Sequence, residues 1–287
     1  MNHPTRHNHT WSDLLARFAL ELGASHYRSG PLCFALPNGP SIVAELLDDG
    51  RALALTVDLE HAPEESRLEE FLSANQFENA QDTGIYAVLK TKNALLFCRR
   101  MEDAGQFAYD DLVRELQGFS ASAQAARDAL PDALQGTAEA PPQDAWADNM
   151  ETFRHIWTDL AFAQGLASEL PKATADGSYI LALDGAGYVF VRPDNARGCV
   201  VIKTMVALLP LFGDEPAAWL SLLDAHLLGQ GTEGAFFAIY ADEQELVLWR
   251  SLPMANLDGF TLNHAIDSLA HVARHYVDEL SLEAVFI

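Results

Sequence analysis

The sequence predicts an α+β protein made of two tandem copies of one α-β-β-β-α-β-β-α unit. Two stretches of repeated sequence support this prediction. Residues 11–23 align with residues 153–165 at an offset of 142, and residues 71–75 align with residues 222–226 at an offset of 151. In each copy tight turns join the strands, which is typical of antiparallel sheets packed with helices. Two copies of one unit in a single chain predict an internal pseudo-dimer.

The first copy begins with an amphipathic helix. Apolar residues recur at helical spacing from Trp11 to Leu22, and Gly23 ends the pattern. Residues 37–39, Pro-Asn-Gly, are a hairpin signal between two short strands. After the opening helix the predicted elements are strands at 32–36, 42–47 and 52–59, a helix at 64–77, strands at 84–90 and 94–100, and a closing helix that includes Tyr109 and Phe119.

The second copy repeats this order after a connector. A stretch rich in Pro and Ala predicts a semi-flexible linker over residues 131–148, so the predicted domains are residues 1–130 and 149–287. Each domain is long enough to bury its own core. The predicted elements of the second copy are a helix at 151–166, strands at 179–183, 188–191 and 199–209, a helix after Pro216, strands at 234–240 and 246–250, and a last helix that includes Phe260 and Leu280.

The chain is strongly acidic. Its 287 residues carry a formal net charge of −23, and the excess is spread over both copies. Such a surface repels nucleic acid and anionic membranes, and it suits a neutral or basic polypeptide partner. No apolar run reaches the ~18–20 residues that span a bilayer, and the first ten residues lack the apolar stretch of a signal peptide. The three cysteines are far apart, which predicts a reducing cytoplasm.

Sequence motifs for catalysis, metals and nucleotides are weak or missing. Residues 229–234 match the glycine pattern of dinucleotide-binding loops, but they follow a predicted helix and precede a strand, the reverse of what a phosphate site needs. His271 and His275 are four residues apart, without the glutamate of a metalloprotease helix. No nucleophile elbow, Walker loop or Cys–His pattern is present. We therefore predict no catalytic residues, no metal site and no cofactor.

Three segments of the first copy resemble a known family. Residues 14–23 (LLARFALELG), 68–77 (LEEFLSANQF) and 84–88 (GIYAV) are similar to the first helix, the second helix and the fourth strand of class I type III secretion chaperones, the Tir chaperone family. The resemblance spans most of residues 11–130, and in the second copy it rests on element order and hydrophobic spacing. Family members are usually shorter and act as homodimers, so the resemblance implies that the two copies pack together within one monomeric chain.

The resemblance also implies a client, the extended N-terminal segment of a secreted effector, held by a non-enzymatic cytoplasmic protein. Such a peptide can add to a sheet edge through main-chain hydrogen bonds while its apolar side chains enter shallow pockets. The candidate effector-binding residues are Leu14, Phe18, Phe34, Trp157, Tyr188 and Phe190. The candidates for packing copy against copy are Phe71, Leu72, Trp219 and Leu223. For all of them the alternative is ordinary core, since apolar residues at element spacing are mostly buried.

Two other functions stay open on the sequence alone. A protein of the same fold could be regulatory and sequester a folded partner, in which case a folded domain is bound instead of an extended segment. A hydrolase whose site the sequence does not reveal would have a deep polar pocket with perturbed titratable groups.

Overall fold

The chain divides into two compact units. Unit 1 comprises Met1–Gly136 together with Leu223–Leu228, and unit 2 comprises Thr137–Leu222 together with Gly229–Ile287. A short segment of the second sequence copy therefore belongs to unit 1. The computed structural model describes residues 9–24, 27, 29–59, 64–80, 84–102, 104–129, 144–165, 173–174, 177–183, 187–209, 216–229 and 231–280.

The helices and strands follow the predicted order. The first copy contains α1 (Trp11–Glu21), β1 (Leu32–Ala35), β2 (Ser41–Leu47), β3 (Ala52–Asp58), α2 (Leu68–Ala74), α3 (Phe77–Ala80), β4 (Ile85–Leu89), β5 (Ala94–Glu102) and α4 (Tyr109–Ala129). The second copy contains α5 (Asp144–Ala163), β6 (Tyr179–Leu183), β7 (Gly187–Asp194), β8 (Cys199–Leu208), α6 (Pro216–Ala225), β9 (Phe236–Tyr240), β10 (Glu245–Pro253) and α7 (Gly259–Glu279).

Each copy forms one five-stranded antiparallel sheet, and the two sheets have the same strand order. The first sheet is ordered β1-β2-β3-β5-β4 and the second is ordered β6-β7-β8-β10-β9. Helix α4 packs against β5, and α7 packs against β8 and β10. The prediction of an α+β fold, with two antiparallel sheets that are each packed with helices, is confirmed. The pairing of the two copies as a pseudo-dimer stays a prediction.

Helix α1 shows how local sequence and packing together form the predicted opening helix. The Thr10 hydroxyl accepts a hydrogen bond from Asp13 N at 3.1 Å, and the Asp13 carboxylate accepts one from Thr10 N at 3.2 Å, which makes a capping box. The buried face of the helix consists of Trp11, Leu14, Leu15, Phe18 and Ala19. Burying a large apolar side chain contributes about 1.5–3 kcal/mol, so this face fixes the helix to the core of unit 1.

The helix predicted at 64–77 is interrupted in the structure. Helix α2 ends at Ala74, and the separate short helix α3 begins at Phe77. Asn75 lies between them, and its side-chain amide makes two hydrogen bonds to the backbone of Tyr86 in β4. Asn side chains that bond to backbone groups compete with helical hydrogen bonding, which accounts for the break.

Helix α5 begins earlier than predicted. It starts at Asp144, inside the stretch predicted as linker, because residues 144–150 contain neither Pro nor Gly to stop it. Residues 131–143 lie outside the described part of the chain. Helix α5 packs closely on α7 at Gly259, where a Cβ would lie 2.2 Å from Leu160 N. Only glycine permits the two helix backbones to approach so closely.

Candidate binding surfaces

Each sheet has two edge strands, which are β1 and β4 in the first sheet and β6 and β9 in the second. Strand β1 pairs with β2 through residues 32–35 and 41–44, and β6 pairs with β7. Within the described ranges no strand pairs with the other side of β1 or β6. An edge strand presents main-chain N–H and C=O groups that an added strand can bind. The β1 and β6 edges are therefore two candidate docking sites for an extended peptide, and they lie next to the binding residues predicted from the sequence.

Four of the six candidate effector-binding residues are buried. Phe18 of α1 packs edge-to-face on Phe34 of β1 with the ring centres 4.9 Å apart. Phe18 is 5% exposed and Phe34 is 8% exposed, while Leu14 and Trp157 are buried to a similar degree. These four side chains lie in the cores of their units, where the alternative interpretation places them. Their role in binding a client stays a prediction.

The other two candidates, Tyr188 and Phe190, lie on the more open face of β7. Tyr188 is 47% exposed and Phe190 is partly exposed. They are two residues apart on one strand, so their side chains share a face of the sheet. Lys203 of β8 is the register partner of Phe190, and its Nζ lies 5.6 Å from the centre of the Phe190 ring. This face of unit 2 presents aromatic surface that an apolar client side chain can contact.

The first helices carry a pair of exposed apolar residues that the sequence interpretation did not select. Leu20 of α1 is 61% exposed and Phe162 of α5 is 75% exposed. The offset of 142 that aligns the two helices places these residues at the same position. Both lie off the buried face of their helix, and an apolar residue off that face in both copies is the signal that could have identified them. Leu20 and Phe162 are therefore candidate contact residues because they recur at one position in both copies.

Trp157 has a second property besides its burial. Its indole Nε1 is buried, and no acceptor for it lies within the described residues. The Trp157 ring lies 4.5 Å from the ring of Tyr179, the first residue of the edge strand β6. In the first copy the same position is Leu15, which has no polar atom. Unit 2 therefore holds an indole N–H donor close to a sheet edge.

The four residues predicted to pack copy against copy are all buried. Phe71 packs on Tyr86 of β4, with the ring centres 5.2 Å apart, and Leu72 is its buried neighbour on α2. Leu223 is the first residue of the segment that belongs to unit 1, and Trp219 lies one turn earlier on α6 in unit 2. Their part in pairing the copies stays a prediction.

Unit 1 contains a buried polar cluster that the sequence interpretation missed, formed by Asn75, Tyr86 and His226. Asn75 Nδ2 donates to Tyr86 O at 2.9 Å, and Tyr86 N donates to Asn75 Oδ1 at 2.7 Å. His226 Nδ1 lies 3.1 Å from Asn75 Nδ2 and 3.2 Å from Tyr86 O. Either neutral tautomer of His226 has a partner, because Nδ1 can accept from Asn75 or donate to Tyr86 O.

Burial determines the charge of His226 in this cluster. The side chain is fully buried, and burial lowers the pKa of His226 to about 4 because it penalises the charged imidazolium, although the backbone hydrogen bond at Tyr86 opposes this. The ring is therefore neutral near pH 7. The alignment of residues 71–75 with 222–226 places Asn75 opposite His226, a polar residue at the same position in both copies, and this was the available signal.

A second polar contact holds the same segment in unit 1. Lys90 N donates to Asp224 Oδ1 at 3.2 Å, and Lys90 Nζ lies 3.8 Å from Asp224 Oδ2. Both side chains are more than a third exposed, so the ion pair itself contributes little to stability. The contact pairs a cation at residue 90 with an anion at residue 224.

The weak motifs of the sequence do not form a reactive site in the described part of the chain. Gly229 ends a short helical turn, and Gly234 N donates to Gly229 O at 2.9 Å in a loop that leads into β9, as expected for helix termination. His271 and His275 are exposed on α7, and His275 lies 3.4 Å from Glu279. Within the described residues, no group of three metal-ligand side chains occurs, and no helix is long and apolar enough to cross a membrane.

One groove of about 630 Å³ lies in unit 1 between the β1–β2 hairpin and α4. Its lining residues are Leu36, Pro37, Asn38, Gly39, Gln117, Ser120, Ala121, Gln124, Ala125 and Asp128. Its one carboxylate, Asp128, accepts a hydrogen bond from Gln124 Nε2 at 2.8 Å. Asp128 is thus engaged with an amide, and no other titratable group lines this groove.

The chain is similar to one protein family. The sequence profile of the Tir chaperone protein (CesT) family matches residues 160–276. This match confirms the resemblance, and it lies in the second copy, whereas the quoted segments come from the first. No curated protein matches the chain.

Several solved structures are similar to part of the chain. A chain of the HopA1-SchA chaperone-effector complex is 16% identical, with 46% of this chain and 97% of that chain covered and a TM-score of 0.39. A chain of the ExsC-ExsE complex is 14% identical, with 46% and 95% covered and a TM-score of 0.38. A chain of the Yersinia pestis type III secretion chaperone SycH with a stable fragment of YscM2 is 20% identical, with 45% and 97% covered and a TM-score of 0.32.

Proposed function

We propose that this chain, whose residues 160–276 match the Tir chaperone protein (CesT) family, is a cytoplasmic type III secretion chaperone for a secreted effector. It binds an extended N-terminal segment of that effector and performs no catalysis. The family match carries the proposal, and the repetition of one sheet topology in both copies supports it. The complexes named above contain an effector or another bound protein, which is consistent with a protein client here.

The edge strands β1 and β6 are the proposed main-chain contacts. A client strand that adds to either edge gains a ladder of hydrogen bonds that does not depend on its sequence. At β6 the buried N–H of Trp157 adds a donor that a client carbonyl can satisfy when the edge opens to receive it. An unpaired buried donor costs about 1–3 kcal/mol, so satisfying it on binding would add to the affinity for the client.

The exposed apolar side chains are the proposed side-chain contacts. Leu20, Phe162 and Tyr188 are each more than 40% exposed, and they lie on the first helices and on β7. The net charge of −23 favours a client segment that is neutral or basic and that carries spaced apolar residues. Such a segment stays unfolded until secretion because its apolar residues are covered by the chaperone.

Copurification tests this function. The tagged chain is co-expressed with candidate secreted proteins, and the retained protein is identified and digested with protease. A chaperone of the proposed type protects one stretch near the client N terminus, and hydrogen exchange shows that stretch to be extended. A protected folded domain would instead support the regulatory alternative, and the absence of any protected stretch would contradict both.

Two matched variants locate the contact surface. Phe162→Asp places a charge on α5 in the proposed surface, and we expect it to weaken client binding by about tenfold or more, which is about 1.4 kcal/mol. His271→Asp is the control, because His271 is also exposed but lies on α7 about three turns beyond the contact of Gly259 with α5. Equal losses in both variants would contradict the assignment of the client to the first helices.

A further inference from the structure

We infer that Asp224 and His226 make unit 1 specific for the segment Leu223–Leu228 of its own chain. We call these residues the docked segment. The competitor is the equivalent segment of the first copy, residues 72–77 of a second molecule, which the offset of 151 aligns with it. This inference goes beyond the proposed function and does not depend on it. It explains why the first copy of one molecule does not pair with the first copy of another molecule, and why the second copies do not pair with each other.

The first selective contact is the one between Lys90 and Asp224. Lys90 directs both its backbone N–H and its ammonium group at the Asp224 carboxylate, at 3.2 Å and 3.8 Å. The residue equivalent to Asp224 in the first copy is Ser73. A competing segment 72–77 would present a neutral hydroxyl to Lys90 and would lose the charge-assisted contact.

The second selective contact is buried. Asn75 uses its Oδ1 and one of its N–H groups on Tyr86, which leaves the other N–H for His226 Nδ1. In a competing segment the residue equivalent to His226 is Asn75 itself. Its amide is smaller than an imidazole, so it would leave a void at a fully buried position, and voids in a core are destabilising. Buried polar pairs of this kind fix which partner is accepted.

Pairing between two second copies would be disfavoured as well. The offset of 151 places Ala241 at the position of Lys90, in a turn whose next residues are Asp242 and Glu243. Asp224 of a second molecule would therefore meet no cation and two nearby carboxylates. Both like-with-like combinations lose the ion pair, and only the combination of Lys90 with Asp224 makes it. Complementary charge that is present in one combination alone is a device for excluding the others.

Charge reversal tests the exposed contact in the full chain, at a site where folding is not at risk. The dimer fraction of the refolded protein is measured by light scattering at about 100 µM. This is below the effective concentration of a partner tethered in the same chain, which is on the order of mM. The wild-type protein should therefore be mostly monomeric. Lys90→Glu and Asp224→Lys should each raise the dimer fraction several-fold, and the double reversal, which restores opposite charges at residues 90 and 224, should lower it below that of either single variant. The inference would be overturned if the single variants had the dimer fraction of wild type, or if the double reversal had a dimer fraction as large as theirs.

The buried contact is tested by exchanging its two side chains. His226→Asn gives the docked segment the same amide as its competitor, and Asn75→His removes the amide that bonds to Tyr86, so each should raise the dimer fraction. The double exchange does not restore the bonds to Tyr86 and should also stay above the wild-type value. Ser221→Ala, on α6 but outside the docked segment, is the control and should leave the fraction unchanged. If the exchange variants do not fold, the charge-reversal result decides alone. Exchange variants that fold and keep the wild-type dimer fraction would contradict the role of His226.

Discussion

Asn75 and His226 occupy the same position in the two sequence copies, and they contact each other, with Asn75 Nδ2 3.1 Å from His226 Nδ1. Both side chains are fully buried. The contact is polar and neutral, and it lies at the point where α2 ends and the chain turns towards α3. A buried pair of this kind makes stability sensitive to substitution and to pH, because neither partner can exchange its hydrogen bonds for water.

Asn75→Ala should destabilise the protein by about 1–3 kcal/mol. The substitution removes the acceptor of Tyr86 N and the donor to Tyr86 O in a dry environment. Urea unfolding measures the change in the free energy of unfolding. Gln117→Ala is the matched control, since it removes an amide from the exposed surface of α4 in the same unit and should change the free energy by less than about 0.5 kcal/mol. Equal effects of the two substitutions would contradict a structural role for the buried cluster.

Stability should fall as the pH decreases from about 6.5 to about 4, because of His226. In this window the unfolded chain binds a proton at His226, whose ordinary pKa is 6.5, while the folded chain, with a pKa of about 4, does not. The unfolded state therefore binds more protons, and the free energy of unfolding decreases as pH falls. Above pH 6.5 the group has no effect. The full difference corresponds to roughly 3 kcal/mol.

The control for this prediction is His226→Gln, which keeps hydrogen-bonding atoms but does not titrate. The Asp13 and Asp258 carboxylates, whose pKa values are lowered by hydrogen bonds at their helix N-termini, are present in both proteins and cancel in the comparison. Urea unfolding between pH 7 and 4.5 should show a smaller loss of stability in the variant. If the free energy of unfolding fell equally with pH in both proteins, His226 would not be a buried neutral imidazole.

Gly259→Ala should destabilise unit 2, by about 1–3 kcal/mol or more. The added Cβ would lie 2.2 Å from Leu160 N and 2.3 Å from Asp159 C, both backbone atoms that cannot move without shifting α5. Gly118→Ala in α4 is the control, and its effect on stability should have the opposite sign, since nothing lies within 4 Å of the added Cβ. There the loss of backbone freedom in the unfolded chain should stabilise by about 0.5–1 kcal/mol. Thermal unfolding of both variants checks the two signs, and a stable Gly259→Ala would refute the close helix contact.

Element order was predictable because each element carries its own local signal. The hydrophobic face from Trp11 to Ala19 forms α1, and the Pro-Asn-Gly turn at 37–39 joins β1 to β2. The break at Asn75 was not predicted, because the hydrogen bonds that cause it go to Tyr86, eleven residues away on another strand. The early start of α5 at Asp144 was missed because a Pro- and Ala-rich stretch outweighed the residues that follow it.

The exposure of individual apolar residues was less predictable than the fold. Leu14, Phe18, Phe34 and Trp157 were selected because they are large and regularly spaced, but the same spacing describes residues that face the core, and all four are buried. Leu20 and Phe162 were not selected, although they are exposed at equivalent positions. A single helix pattern shows which face is apolar, and only comparison of the two copies reveals an apolar residue that recurs off that face.

The sequence by itself determined the duplication, the order of helices and strands and the α+β class, because periodic apolar residues and turn signals act over a few residues and survive divergence. The tertiary structure decided which side chains are exposed, where Leu223–Leu228 lies, and that His226 is buried as a neutral ring against Asn75. Burial and protonation depend on groups that are distant in the chain, and packing brings those groups together.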